Sequence, residues 1–352
     1  MITDYQWIDD NSQLEELLLS LKNSDVVAFD SEFERVNTFY PKPALFQLQI
    51  DGKYYLVDLP KINNFKPFEK LLDNIILHSG SEDLEILNQM NKKLPTHIFD
   101  TQIAASLCGY GLHFSYQNIC QELLGIELKK AESRSDWLKR PLSTKQINYA
   151  LEDVMYLPEL KTFLSNKLEE LGRSSWFDLL SQQKVNSILT NNHVNKTFLK
   201  TTISNRFNLS RQKQLMALLQ WREQQAIQRN KPRGWIIKND KIVKLIQIQP
   251  KTVQDLAQKV GLYTKFVQLN GSELIKLIQN TQGIDEKIFP KIVKLNPEQG
   301  QRLAGIKMQL QEKCEELNIP SSLIINVADL KQLVAQGKGL VDIPLWQLIN
   351  HS

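Results

Sequence analysis

The 352-residue chain has few of the features that mark secreted, membrane-spanning or disordered proteins. Only three cysteines are present, Cys108, Cys120 and Cys314, an odd number with no Cys-x-x-Cys spacing. A disulfide framework or a cysteine-based zinc knuckle is therefore excluded, and a reducing cytoplasm is the expected compartment. No stretch approaches the roughly 18 to 20 consecutive apolar residues of a membrane span. The opening Met1-Ile2-Thr3-Asp4-Tyr5 is acidic and lacks the basic and apolar regions of a signal peptide. Apolar residues themselves are not scarce. At 42% hydrophobic and 23% charged, the chain can bury a core and is not a disordered polyampholyte. Its length suggests two or three domains.

The net charge of +4 conceals an asymmetry. Residues 1–170 carry 17 Lys+Arg against 26 Asp+Glu, a balance of −9, whereas residues 171–352 carry 26 against 13, a balance of +13. An acidic unit joined to a basic one is expected, and basic units often meet polyanions.

The N-terminal part alternates strand and helix signals. Asp25-Val26-Val27-Ala28-Phe29-Asp30 is the short apolar run of a strand buried on both faces. Ala44–Ile50 and Tyr54–Leu59 flank Asp51-Gly52, a hairpin turn signal. Asn74–His78 makes a fourth strand, followed by a helix from Glu82. A mixed sheet in an α/β domain follows. Ser143-Thr144-Lys145-Gln146 is a capping box opening a long helix, which Pro158 should kink. After Gly172 the strand signals stop, and an all-helical C-terminal half is expected. A shift of 88 residues sets Pro232 on Pro320, Trp235-Ile236-Ile237 on Leu323-Ile324-Ile325 and Ile242 on Leu330, which suggests an internal repeat.

The chemistry lies in the acidic half. Asp30 and Glu32 at i, i+2 on a strand aim at one face. Tyr149 and Asp153 at i, i+4 share one face of the long helix. Asp83 stands near the start of the helix between them. Clustered carboxylates without a matching cation repel, and four hard oxygen ligands suit Mg²⁺ or Mn²⁺. Isolated copies of each pattern carry no weight: Asp83 with Glu85 falls on a helix, and Tyr54 with Asp58 falls on a strand. Order, spacing and context together distinguish the set.

The stretches Phe29-Asp30-Ser31-Glu32-Phe33, His78 to Glu85, Phe99 to Ala105, Glu132 to Leu138 and Tyr149 to Leu157 give the whole chain a further likeness. It resembles the ribonuclease D family, in the DEDDy branch of 3′-to-5′ exonucleases. That resemblance implies an α/β ribonuclease H-like exonuclease domain over residues 1–172. A helical linker over 173–209 would follow, then a first HRDC domain (the helical domain shared by helicases and ribonuclease D) at 210–290. A second, divergent HRDC-like domain would span 291–352. It also implies that Asp30 and Glu32 form the first exonuclease motif, Asp83 the second, and Tyr149 with Asp153 the third. Around the first helical domain, Arg222, Arg229, Lys231 and Arg233, together with Arg134, become candidate RNA contacts. The second copy carries Leu310, Leu317, Ile319 and Ser321 at the four matching positions.

Residue chemistry and resemblance converge on one expectation. Two divalent metals, Mg or Mn, would bridge the scissile phosphate and release 5′-mononucleotides from RNA 3′ ends, with tRNA precursors as substrates. A free phenol has a pKa of about 10, so Tyr149 is read as orienting the attacking water rather than removing its proton. A DNA exonuclease and an RNA-binding scaffold with a dead site are the alternatives, and the complete carboxylate set argues against the second. Trp137 and Trp235 are expected in cores. The protein is expected to be a cytoplasmic monomer with no membrane partner, and its acidic core to be complete before about Ser210.

Overall fold

A single turn sets the register of the sheet. Asp51 and Gly52 adopt φ of 53° and 77°, the left-handed pair a tight hairpin requires. They join β3 (Lys42–Ile50) to β4 (Lys53–Asp58), antiparallel with Ile50 opposite Lys53. On the other side β2 (Val27–Glu34) pairs antiparallel with β3 and parallel with β5 (Ile75–Leu77). Short edge strands complete the sheet: β1 (Gln6–Ile8) beside β4, and β6 (Ile98–Asp100) beside β5. The order is β1-β4-β3-β2-β5-β6, the mixed sheet expected. Neither edge strand was legible beforehand, because three residues are too few to show alternation.

The computed structural model describes residues 4–21, 26–66, 68, 74–128, 132, 135–190, 193–281, 284–285, 287, 289–290 and 293–351. Two units emerge: Met1–Glu34, Lys42–Thr190 and Val293–Ser352 form the first, and Arg35–Pro41 with Asn191–Ile292 form the second. The first unit holds the sheet and α1 (Asn11–Ser20), α2 (Ser81–Asn91), α3 (Thr101–Leu107), α4 (Tyr116–Leu124), α5 (Thr144–Met155), α6 (Leu157–Glu170) and α7 (Ser174–Leu189). The second holds α8 (His193–Asn205), α9 (Leu209–Arg229), α10 (Arg233–Ile236), α11 (Asn239–Ile248), α12 (Val253–Gln258) and α13 (Thr264–Gln279). The chain then returns to the first unit for α14 (Pro297–Leu317), α15 (Ser321–Ile324), α16 (Val327–Ala335) and α17 (Pro344–His351).

Under the sheet, Phe29, Phe46 and Phe68 meet edge to face at 4.9 and 5.2 Å and are fully buried. Each such ring stabilises the fold by roughly 1.5–3 kcal/mol. The expected capping box is present: Ser143 accepts from Gln146 N while the Gln146 side chain reaches back to Ser143 N. From there α5 lies along β2 and β3.

The repeat is real down to its caps. Asn208 and Asn296, 88 residues apart, cap α9 and α14, each 21 residues long. Asn230 and Asn318, again 88 apart, end them with φ of 45° and 52°. Pro232 and Pro320 precede the matching four-residue helices α10 and α15.

Three expectations about organisation change. Residues 173–209 are helical but are not a linker, since α7 belongs to the first unit and α8 to the second. Nor is the acidic core complete before Ser210: Leu303, Ile306, Leu310 and Cys314 of α14 share one apolar cluster with Leu107, Leu164 and Trp176. Finally, the basic surplus belongs to one helical copy alone. The second unit carries 19 Lys+Arg against 6 Asp+Glu, whereas residues 293–352 carry 6 of each.

Arg173 ties the returning segment to the sheet domain. It is 7% exposed, and its guanidinium donates to the Leu107 carbonyl at the end of α3 and to the Leu317 carbonyl at the end of α14 (2.8 Å). Arg173→Met keeps the bulk but leaves both carbonyls without that donor, so stability should fall by roughly 2–4 kcal/mol. Denaturant unfolding measures this. Hydrogen exchange should quicken in α14 before it does in β2 or β3, and a variant with unchanged stability and exchange would remove Arg173 as the tie.

Candidate active site

Three segments bring their carboxylates to one cleft of about 410 Å³, lined by Asp30, Glu32, Asp83, Tyr149 and Asp153 with Ser31, Phe33, His78, Ser79, Glu82 and Tyr116. Asp30 and Glu32 leave β2 on one face, and the β2–β3 register shifts between Glu32 and Phe33, just beyond them. Ser31, between them, donates its hydroxyl to Asp83 Oδ1 at 2.5 Å. Asp153 comes from the last turn of α5, one turn after Tyr149. Ligand oxygens of Asp30, Glu32 and Asp153 lie within 4.8 Å of one another.

Residues beyond the five candidate site positions hold these in place. Asp100, fully buried, accepts from Ser79 N (3.0 Å), Gly80 N (3.3 Å) and Gln102 N (2.9 Å) and pairs with Lys184 of α7. It thereby fixes the turn that enters α2, where Ser79 sits at φ 59° and Asp83 follows in the first helical turn. Arg140 clamps the approach to α5 by donating to Asp58 Oδ1 (Nε, 3.0 Å), the Trp137 carbonyl (2.7 Å) and the Ala44 carbonyl (2.9 Å). Trp137 is buried as expected, its ring 6.0 Å from that of Tyr149. Asp100 and Arg140 carry no spacing signal of their own, since each acts across the fold rather than along a helix or strand.

The electrostatics of the cleft are one-sided. Among the described residues no Lys or Arg lines it. Burial, then repulsion from Asp83, Asp153 and Glu32, holds the Asp30 carboxyl well above its usual range. Burial and the charges of Asp153 and Asp83 push Glu32 up to about 9. Burial raises Asp153 to about 8, against the neighbouring Tyr149 hydroxyl, which lowers it. Asp83 reaches only about 6, because the Ser31 hydroxyl offsets part of its burial. Burial and the same carboxylates drive the Tyr149 phenol upward, so it keeps its proton. An all-oxygen donor set that repels itself fits hard divalent cations such as Mg²⁺ or Mn²⁺. A larger cleft of about 900 Å³ near Asn74, Lys161, Ser181 and Asn186 holds no such cluster, so chemistry rather than size picks out the site.

The candidate RNA contacts fare unevenly. Arg134 lies outside the described residues. Arg222 is 3% exposed and donates to Asn239 Oδ1 (2.5 Å) and the Ile237 carbonyl (3.4 Å), so it pins α9 to the following turn and does not face a ligand. Arg233 is committed to both carboxylate oxygens of Glu223 at 2.6 Å and lies over the Phe39 ring. Arg229 is exposed yet donates to Asn270 Oδ1 at 2.8 Å. Lys231 is exposed, 5.8 Å above the Trp235 ring. Trp235 is itself 62% exposed, not in the core, because the single turn of α10 buries Ile236 and leaves its neighbour outside.

Comparison with known proteins follows the same division. Residues 5–169 match the family model described as 3′-5′ exonuclease, and residues 212–278 match the HRDC domain. The chain is 31% identical to ribonuclease D of Shewanella sp. (strain ANA-3), with 91% of this chain and 84% of that one covered. Against ribonuclease D of Bartonella henselae the identity is 32%, over 93% and 82%. Among solved structures, Escherichia coli RNase D, described as an exoribonuclease involved in structured RNA processing, superposes with a TM-score of 0.89. That match has 24% identity and covers 99% of this chain and 97% of that one. The catalytic core of RRP6 from Trypanosoma brucei gives a TM-score of 0.59 at 16% identity over 80% and 81%. These matches agree with an α/β exonuclease domain followed by helical HRDC structure. Among the described residues no helix is long and apolar enough to cross a membrane.

The raised carboxyl pKa values carry a sign. A group that binds its proton more tightly when folded stabilises the fold at low pH and loses that contribution as pH rises through its folded-state pKa. The metal-free protein should therefore lose thermal stability from the ordinary carboxylate range up to pH about 9, the Glu32 value. Added Mg²⁺ or Mn²⁺ should flatten the profile. Thermal unfolding with and without EDTA checks this, and identical profiles would mean that the cluster does not bind cations.

Proposed function

Because the chain belongs to the ribonuclease D family of 3′-to-5′ exonucleases, we propose that it is a divalent-metal-dependent exoribonuclease that releases 5′-mononucleotides and trims tRNA precursors in the cytoplasm. The supporting observation is the meeting of four carboxylates from β2, α2 and α5 in one cleft that no Lys or Arg lines among the described residues. In this reading Asp30, Glu32, Asp83 and Asp153 hold the metals. When bound, Mg²⁺ or Mn²⁺ supplies charge stabilisation at the scissile phosphate and a more acidic water.

The remaining work falls to the chain's own groups. Tyr149 keeps its proton in this environment, so it acts as a hydrogen-bond donor that orients the attacking water, not as a general base. Ser31 keeps Asp83 turned into the cleft by donating to one of its oxygens. The second unit supplies nonspecific affinity: its 13-charge surplus attracts the RNA backbone. Exposed Lys231 and Arg229 are the best placed of the original candidates, with Trp235 offering a ring on which a base can stack.

The direct test incubates the protein with labelled RNA and Mg²⁺, Mn²⁺ or EDTA and identifies the products. Stepwise 5′-mononucleotides with metal and none with EDTA are expected. Asp30→Asn should abolish cleavage while RNA binding persists, since a neutral amide is a weaker ligand. Full activity in that variant would sink the site assignment.

The division of labour has its own readout. Arg229→Gln with Lys231→Gln should leave hydrolysis of short single strands intact but weaken binding of a tRNA precursor. Each lost phosphate contact should reduce the slope of log affinity against log salt by roughly 0.7 to 0.9. An unchanged slope would place the RNA anchor elsewhere.

A further inference from the structure

Helices α5 and α6 are consecutive, separated only by Tyr156. In a continuous helix the Tyr156 N–H would donate to the Glu152 carbonyl four residues earlier. Here the Tyr116 hydroxyl stands between them. Tyr156 N–H donates to Tyr116 Oη at 3.2 Å, and Tyr116 Oη donates onward to the Glu152 carbonyl at 3.1 Å. The Tyr156 N–H also points toward the Val154 carbonyl, inside the same distorted turn. A side chain inserted into the ladder is a recognised cause of a sharp helix break. Pro158 explains only part of it, since what Pro158 removes is the bond to Val154, not the bond to Glu152.

The break sits beside the chemistry. Glu152 directly precedes Asp153, and Tyr149 lies one turn earlier. Tyr116 is 8% exposed and lines the carboxylate cleft. Its ring is 5.6 Å from that of His78, and His78 Nε2 donates to the Phe114 carbonyl at 3.0 Å. One residue on α4 therefore links the segment leading to Asp83 with the helix turn that carries Asp153.

We propose that Tyr116 is a positioning residue for the cleavage reaction: its inserted hydroxyl holds the last turn of α5 open and so sets where the Asp153 carboxylate stands relative to Asp30 and Glu32. The inference rests on the assignment of Asp153 as a metal-binding carboxylate. Without the hydroxyl, Tyr156 N–H can close directly on the Glu152 carbonyl, tightening the turn and rotating Asp153 away.

Tyr116→Phe keeps the ring and its packing on His78 and removes only the inserted group. Expected are a fall in kcat of roughly tenfold or more with KM for short RNA unchanged. Mn²⁺ affinity, read without RNA by electron paramagnetic resonance, should weaken by roughly tenfold, as for other groups that orient a ligand. Tyr116→Leu should lose at least as much. Normal turnover and Mn²⁺ binding in the Phe variant would overturn the proposal. So would a lowered melting temperature with turnover per folded molecule unchanged, or a defect confined to the Leu variant, since each of those marks a packing role. Asp153→Asn separates the two levels. If it retains activity and Mn²⁺ binding, the site assignment fails and Tyr116 falls with it; if it is inactive and weak in Mn²⁺ while Tyr116→Phe behaves as wild type, only the Tyr116 role fails.

Discussion

Mutual repulsion among carboxylates is the constraint that organises the acidic unit. Asp30, Glu32, Asp83 and Asp153 are held closer together than their charges favour, and burial makes each charge costlier. Such a cluster persists only if the backbone around it is over-determined. The structure supplies that in the Asp100 cap on the turn into α2, the Arg140 clamp ahead of α5 and the Ser31 bond to Asp83. Among the described residues, Lys184 is paired with Asp100 and Arg140 with Asp58. A lysine inside the cleft would neutralise the carboxylates permanently. No Lys or Arg lines the cleft among the described residues, which leaves the charge for an exchangeable ion.

The duplicated helical segment shows one template put to two uses. Both copies keep an Asn-capped helix of 21 residues, a left-handed Asn at its end and a proline-led short turn. Only the first carries the basic surplus. Where the first has Arg222, buried with one guanidinium nitrogen bonded to the next turn, the second has Leu310, buried in the apolar cluster shared with the sheet domain. The charge-balanced second copy packs as part of the exonuclease core. Arg173, donating to the ends of α3 and α14, marks how closely that packing is tied.

The division between local and tertiary information runs along physical lines. The hairpin at Asp51-Gly52, the capping box at Ser143 and the repeat at 88 residues are local or periodic, so the amino-acid order alone was sufficient for each. The pairs Asp30 with Glu32 and Tyr149 with Asp153 were legible for the same reason, since strand and helix periods dictate a shared face. Side-chain fates that depend on distant partners were not legible. Arg222 and Arg233 have the composition of an RNA-binding turn, but Arg222 is buried with one nitrogen bonded to Asn239, and Arg233 is paired with Glu223. Trp235 has the character of a core residue, but a single helical turn leaves it outside. Whether residues 293–352 stand apart or join the sheet depended on apolar contacts made across more than a hundred intervening residues. The sequence by itself thus determined the sheet's central strands, the repeat and the candidate carboxylates. Only the tertiary structure decided how closely those carboxylates approach and which basic groups stay free, because both depend on contacts between residues far apart in the chain.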